Sequence, residues 1–181
     1  MSESCSNARF QLVVTAPSIR RPAAHGANRT GRLFTGDRSG DFLFAALHRA
    51  GLASQPNSES ITDGLKLTDV YVVAAGRCAP PANKPTPQEL LNCSSFLRRE
   101  IELLSNLRAI VALGGMAHDA VLRILGPTEG SRRLAFSHGA VHQLPDGKKL
   151  FDSYHVSQLN TFTGLLTPAM FDAVIAGAMK A

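Results

Sequence analysis

Between Pro22 and Leu43 the chain reads PAAHGANRTGRLFTGDRSGDFL, with four glycines, three arginines, two aspartates and one histidine. The stretch is too polar for a core and too rich in special-purpose side chains for a linker. His25, Asn28, Arg29, Arg32, Phe34 and Asp37 all fall within it. Two later stretches share that character: RCAPPANKPTP, carrying Cys78 and Asn83, and HVSQLNTFTG, carrying His155, Ser157, Gln158, Leu159 and Asn160. Taken singly each residue has a plain explanation. A lone histidine such as His155 is more often structural than catalytic. Asp37 suits a helix N-terminus, Phe34 a core, and Asn83 a turn before Pro85. Brought to one rim they make an aromatic plate, a two-way hydrogen-bonding amide, a carboxylate and an imidazole among arginines. That set suits holding a planar base while its glycosidic bond breaks.

The order of elements is what would bring them to one rim. Phe10–Thr15, Val70–Ala75 and Ala109–Leu113 read as short buried strands. Ser39–Ala50 reads as a helix with Phe42, Leu43, Ala46, Leu47 and Ala50 on its apolar face, ended by Gly51. Thr86-Pro87-Gln88-Glu89 opens a second helix whose face carries Leu90, Leu97, Ile101 and Leu104. A third helix spans about 117–125. Val141–Leu144 and Lys149–Tyr154 form a hairpin around Asp146-Gly147, its second arm joining the sheet. A loop from His155 to Leu166 leads to a last helix capped by Thr167-Pro168. This alternation predicts a three-layer α/β/α sandwich around a central, mostly parallel, four-stranded sheet. In such folds chemistry gathers outside the carboxyl ends of the strands. The unusual stretches follow the strands: 16–37, 76–86, 114–115 and 155–166.

Composition supports one ordinary globular domain over residues 1–181, with 1–8 expected to be disordered. Of the 181 residues 44% are hydrophobic and 18% charged. No apolar run approaches membrane-spanning length, and the N-terminus lacks a signal pattern, so a cytoplasmic protein without membrane contact is expected. The net charge of +5 tilts the partner expectation toward polyanions. Three cysteines argue against a disulfide framework. GxGxxG after the first strand, GxxxxGK[ST], GxSxG and HExxH are all missing, and no closely spaced metal-ligand set stands out. A nucleotide-handling enzyme of another type is thereby disfavoured.

PAAHGANRTGRLFTGD, RCAPPANKPTP and HVSQLNTFTG resemble, in order, the signature segments of the family 5 uracil-DNA glycosylases. The resemblance implies excision of uracil, and of hypoxanthine or other deaminated bases, from double-stranded DNA by a monomeric enzyme that leaves an abasic site. It implies that Phe34 stacks on the flipped base and that Asn83 faces its hydrogen-bonding edge. Asp37 would orient water or stabilise the sugar cation, and His155 would lie near the base O2. Family 5 members lack the acidic residue that other families place after the first strand, and here that place reads Ala23-Ala24. His25, Asn28, Arg29, Arg32, Ser157, Gln158, Leu159 and Asn160 would face DNA.

The chain departs from that pattern in three places. The family carries a [4Fe–4S] cluster on four cysteines. Cys78 and Cys93 match the later pair, Cys5 is a possible third, and nothing matches the fourth. An incomplete or lost cluster is therefore expected, and a truncated homologue that binds DNA without releasing a base is the alternative reading. Residues 15–21, TAPSIRR, read as an atypical insertion. Leu159 stands where the family has glutamine, and Leu165 where it has a basic residue. Leu159 is then either a wedge that fills the hole left by a flipped base or an ordinary loop leucine folded inward.

Overall fold

The computed structural model describes residues 11–16, 32–76, 86–127 and 134–181. Its elements are β1 (Gln11–Ala16), α1 (Arg38–Arg49), β2 (Val70–Ala74), α2 (Pro87–Glu102), β3 (Leu107–Leu113), α3 (Gly115–Leu125), β4 (Val141–Gln143), β5 (Lys149–Ser153), α4 (Gln158–Phe162) and α5 (Pro168–Ala178). The strands form one sheet in the order β2-β1-β3-β5-β4. β1 pairs in parallel with β2 and β3, and β3 with β5. Only β4–β5 is antiparallel.

The sheet therefore has five strands rather than the four expected. Both arms of the hairpin join it, because a tight turn returns the chain in register. Gly147 takes a positive φ of 87°, and the Leu144 amide donates to the Lys148 carbonyl at 2.9 Å. A three-residue strand carried little period to read.

The alternation along β3 builds the core. Ala109, Val111 and Leu113 point into one apolar cluster with Leu43, Phe44 and Leu47 of α1 and Phe171, Val174 and Ile175 of α5. Ile110 and Ala112 point into another, with Leu97 and Ile101 of α2 and Ala117, Val121 and Ile124 of α3. Both faces of this α/β fold are thus covered by helices, as parallel sheets require. Each fully buried Leu, Ile or Phe contributes on the order of 1.5–3 kcal/mol.

Local signals set the helix ends. Gly51, at φ 76°, ends α1 with a Schellman pair: its own amide reaches His48 O at 3.0 Å and that of Leu52 reaches Leu47 O at 2.8 Å. Thr167 caps α5, accepting from the Met170 amide. α2 ends at Glu102, so Leu104 lies beyond it, although its side chain is still buried.

β1→α1→β2 moves one way along the sheet and β3 onward moves the other. The order reverses between β1 and β3, the switch point outside whose carboxyl ends open α/β sheets form a ligand crevice. Among the described residues no helix is long and apolar enough to cross a membrane.

Candidate active site

At that crevice the segments after β1, β3 and β5 meet. The ring centroids of Phe34 and His155 lie 6.3 Å apart, with the planes inclined at 39°. Gly114, the first residue after β3, sits beneath His155: a Cβ built on it would stand 3.5 Å from the His155 Cβ, and its φ of 91° disfavours any side chain. Phe34 and His155, 121 positions apart in sequence, are thus brought together by the topology, while Gly114 keeps the floor clear.

Phe34 is held in an uncommon conformation. Its φ is 55°, in the left-handed region, which costs an aromatic residue of order 1–3 kcal/mol and persists only when neighbours over-determine it. One such neighbour is Gly40, in the first turn of α1. A Cβ there would collide with the Phe34 carbonyl oxygen, so the loop closes directly onto helix backbone. Asp37 caps the same helix, its Oδ1 accepting from the Gly40 amide at 2.8 Å. Among the described residues its Oδ2 takes no hydrogen bond. The carboxylate is fixed by one oxygen, three positions along the chain from Phe34.

Arg32 differs from the expectation of a DNA contact. Its guanidinium is committed to the fold, donating to Asp63 Oδ1 at 2.8 Å, Ser58 Oγ at 3.0 Å and the Ile61 carbonyl at 3.2 Å. Asn160 differs likewise. Its Nδ2 donates to the His155 carbonyl at 2.8 Å and its own carbonyl accepts from Leu166, so it ties the His155 loop together from within. His25, Asn28, Arg29, Asn83 and Cys78 lie outside the described residues, as do 1–8 and 17–21.

The stretch expected as a loop from His155 to Leu166 contains α4, one turn of helix behind Ser157. Ser157 is half-buried and Gln158 exposed. Leu159 is 73% exposed, which overturns the reading of a leucine folded inward. Phe162, one turn further on, is 69% exposed, and the Arg38 guanidinium lies 5.8 Å from its ring centroid. Arg38 follows Asp37 directly, so this apolar ridge flanks the crevice. Phe162 was not singled out from the sequence, though its i, i+3 spacing from Leu159 was the available signal.

Beneath the His155 loop lies a buried polar cluster. Asp152 Oδ1 contacts His118 Nδ1 at 2.8 Å, and Oδ2 contacts His142 Nε2 at 3.0 Å and the Ser137 amide at 3.3 Å. His118 Nε2 in turn faces the Leu134 carbonyl at 3.0 Å. Both His118 nitrogens therefore face oxygen atoms of the fold. Each potential metal-binding atom here already has a protein partner. Nearby, His138 stacks on Tyr154 with centroids 4.8 Å apart, and its Nδ1 accepts from the Tyr154 amide. Burial holds the His138 imidazole below its usual value, favouring the neutral ring. The end of β5, two residues from His155, is therefore firmly set. A groove of about 340 Å³ between β4 and α5, lined by His138, Val141, Phe151, Met170 and Val174, lies apart from the crevice and is almost wholly apolar.

The profile of the uracil DNA glycosylase superfamily matches residues 5–178. The chain belongs to that superfamily. It is similar to the type-5 uracil-DNA glycosylase of Mycobacterium tuberculosis, 54% identical over 160 residues, covering 88% of this chain and 59% of the relative. It is similar also to the type-5 uracil-DNA glycosylases of Mycobacterium leprae, at 55% over 160 residues (88% and 69%), and Thermus thermophilus, at 50% over 159 (88% and 71%). The chain thus spans 59% of the length of the mycobacterial relative named first. The superfamily match includes Phe34, Asp37, His155, Leu159 and Phe162.

Proposed function

We propose that this chain excises uracil from double-stranded DNA by hydrolysing the N-glycosidic bond and leaves an abasic site. The range extends to hypoxanthine and other deaminated bases. The observation that carries this reading is the meeting of Phe34 and His155 at the switch point of the sheet, beside a rim carboxylate, in a chain of this superfamily.

The flipped base stacks on Phe34, and Asn83 reads its hydrogen-bonding edge. As the bond between C1′ and the base nitrogen breaks, positive charge gathers on the sugar and negative charge on the base. The Asp37 carboxylate stabilises the cation and orients water, whose oxygen adds to C1′ while the proton it sheds neutralises the departing base anion. His155 donates toward the base O2, where the departing charge collects. Leu159 and Phe162 face the duplex and fill the space that the base vacates. The basic balance of the chain supports an electrostatic share in binding. We read the chain as one domain acting as a monomer in the cytoplasm.

An iron–sulfur cluster plays no part in this scheme. A cubane takes four thiolates, and the chain holds three cysteines. Cys93, on α2, is buried and forms no disulfide. The three cysteines of this sequence do not by themselves make up that set.

A uracil-containing duplex, incubated with the chain and then treated with alkali, tests the proposal. Strand scission at the uracil supports it. Salt-sensitive binding without base release selects the alternative of a homologue that only binds.

A further inference from the structure

The segment between α1 and β2 reads in sequence as a polar connection, yet it braces the crevice. It leaves the core as a narrow excursion, closed at its base by an Ala53–Leu67 bridge and a 2.9 Å bond from the Ser54 amide to the Lys66 carbonyl. Its far end reaches back to residues on both sides of Phe34. Before Phe34, the Arg32 guanidinium grips Ser58 Oγ and Asp63 Oδ1. After it, the buried Thr35 hydroxyl pairs with Ser58 Oγ at 2.8 Å, and the Gly36 amide donates to the Ser58 carbonyl at 2.8 Å. A residue with positive φ is thereby held at both shoulders by one short segment.

Asp63 is the keystone of that segment. Oδ1 accepts from Arg32 and from the Leu65 amide at 3.0 Å, and Oδ2 accepts from the Glu59 and Ser60 amides at 2.8 and 3.2 Å. Burial pushes its carboxyl up, but Arg32 and these amides outweigh that and hold it far below the usual carboxylate range. It therefore stays ionised across the whole neutral range.

We propose that Asp63, acting through Arg32 and Ser58, is a positioning residue that sets the Phe34 ring against the flipped base. The proposal rests on the reading of Phe34 as the base plate. Asp63 touches no reacting atom. Its effect is transmitted by holding residues 32–36 in one geometry, where a displacement of about 1 Å costs on the order of a hundredfold in rate.

The test compares wild type, Asp63→Asn, Arg32→Gln, Phe34→Ala and the Asp63→Asn/Phe34→Ala double variant, in single-turnover release of uracil from a duplex at saturating protein. Asp63→Asn is expected to slow release about ten- to a hundredfold with duplex affinity unchanged, and Arg32→Gln to match it. The double variant is expected to be no slower than Phe34→Ala alone, because the strut acts only through that ring. Losses that multiply, or a wild-type rate in Asp63→Asn, would overturn the proposal. Amide hydrogen exchange supplies a readout apart from activity. Gly36 is expected to lose protection in Asp63→Asn while Val111 in β3 keeps it. If wild type releases no uracil, or Phe34→Ala releases it at full rate, the proposed function has failed. Unchanged Gly36 protection in Asp63→Asn then still overturns the strut.

Discussion

The two walls of the crevice are built in opposite ways. On one side Phe34 is closed onto the backbone at Gly40, and its flanking residues are held by Ser58 and by Arg32 on Asp63. On the other, α4 is a single turn with no side-chain N-cap bond and no buried residue, and it presents Leu159 and Phe162 to solvent. Its firmness lies at its root, where Asp152 joins His118 and His142 and where Asn160 holds the His155 carbonyl. The difference suits two tasks. A plate for a planar base must hold one geometry, whereas a ridge that meets a duplex gains from adjusting to it.

Breaking the root of the second wall should have the largest effect. Asp152→Ala leaves the buried His118 and the partly buried His142 without their shared acceptor, and the expected loss is about 3–5 kcal/mol, read from denaturant unfolding. Breaking the rigid wall comes next. Gly40→Ala drives a methyl into the Phe34 carbonyl, and a loss of about 1–3 kcal/mol is expected, together with lost uracil release. A variant that folds and turns over like wild type would show that the loop has slack.

The exposed ridge should behave in the opposite manner. Leu159→Ala with Phe162→Ala should leave stability within about 0.5 kcal/mol yet weaken duplex binding measurably by fluorescence anisotropy. Equal losses in stability and binding would erase the distinction between the walls. His138 predicts a smaller, pH-dependent term. Its proton affinity is lower in the folded state, so its contribution is complete above about pH 6.5 and declines as the pH falls below that. His138→Gln should flatten that part of the stability–pH curve. Away from both walls, the exposed Arg49–Asp172 pair, at 2.7 Å, should matter least: Arg49→Ala is expected to cost about 0.2–1 kcal/mol and to leave activity intact.

What the sequence made legible followed from short-range chemistry. Apolar β-branched runs marked β1, β2 and β3, Gly51 marked the end of α1, and Asp146-Gly147 marked the hairpin turn. The strands' order then placed Phe34, Asp37 and His155 at one end of the sheet. Long-range commitments were not legible. Arg32 looked like a phosphate contact because nothing local shows that Asp63, 31 positions away, would claim it. Asn160 looked outward because its acceptor is a backbone carbonyl, which carries no side-chain identity to read. The exposure of Leu159 depended on α4, a five-residue helix too short to leave a periodic pattern. The Phe34 conformation depends on Gly40, whose role is visible only as the space its missing side chain leaves.

The central claim is that the fixed wall and its carboxylate cut a glycosidic bond. Asp37→Asn separates that chemistry from folding, because asparagine caps a helix about as well as aspartate does. Single-turnover release of uracil from a duplex, with thermal unfolding measured on the same samples, is the decisive comparison. Release by wild type is expected, with a loss of about a hundredfold or more in Asp37→Asn at nearly unchanged stability. No release by folded wild type, or equal rates for the two, would contradict the central claim.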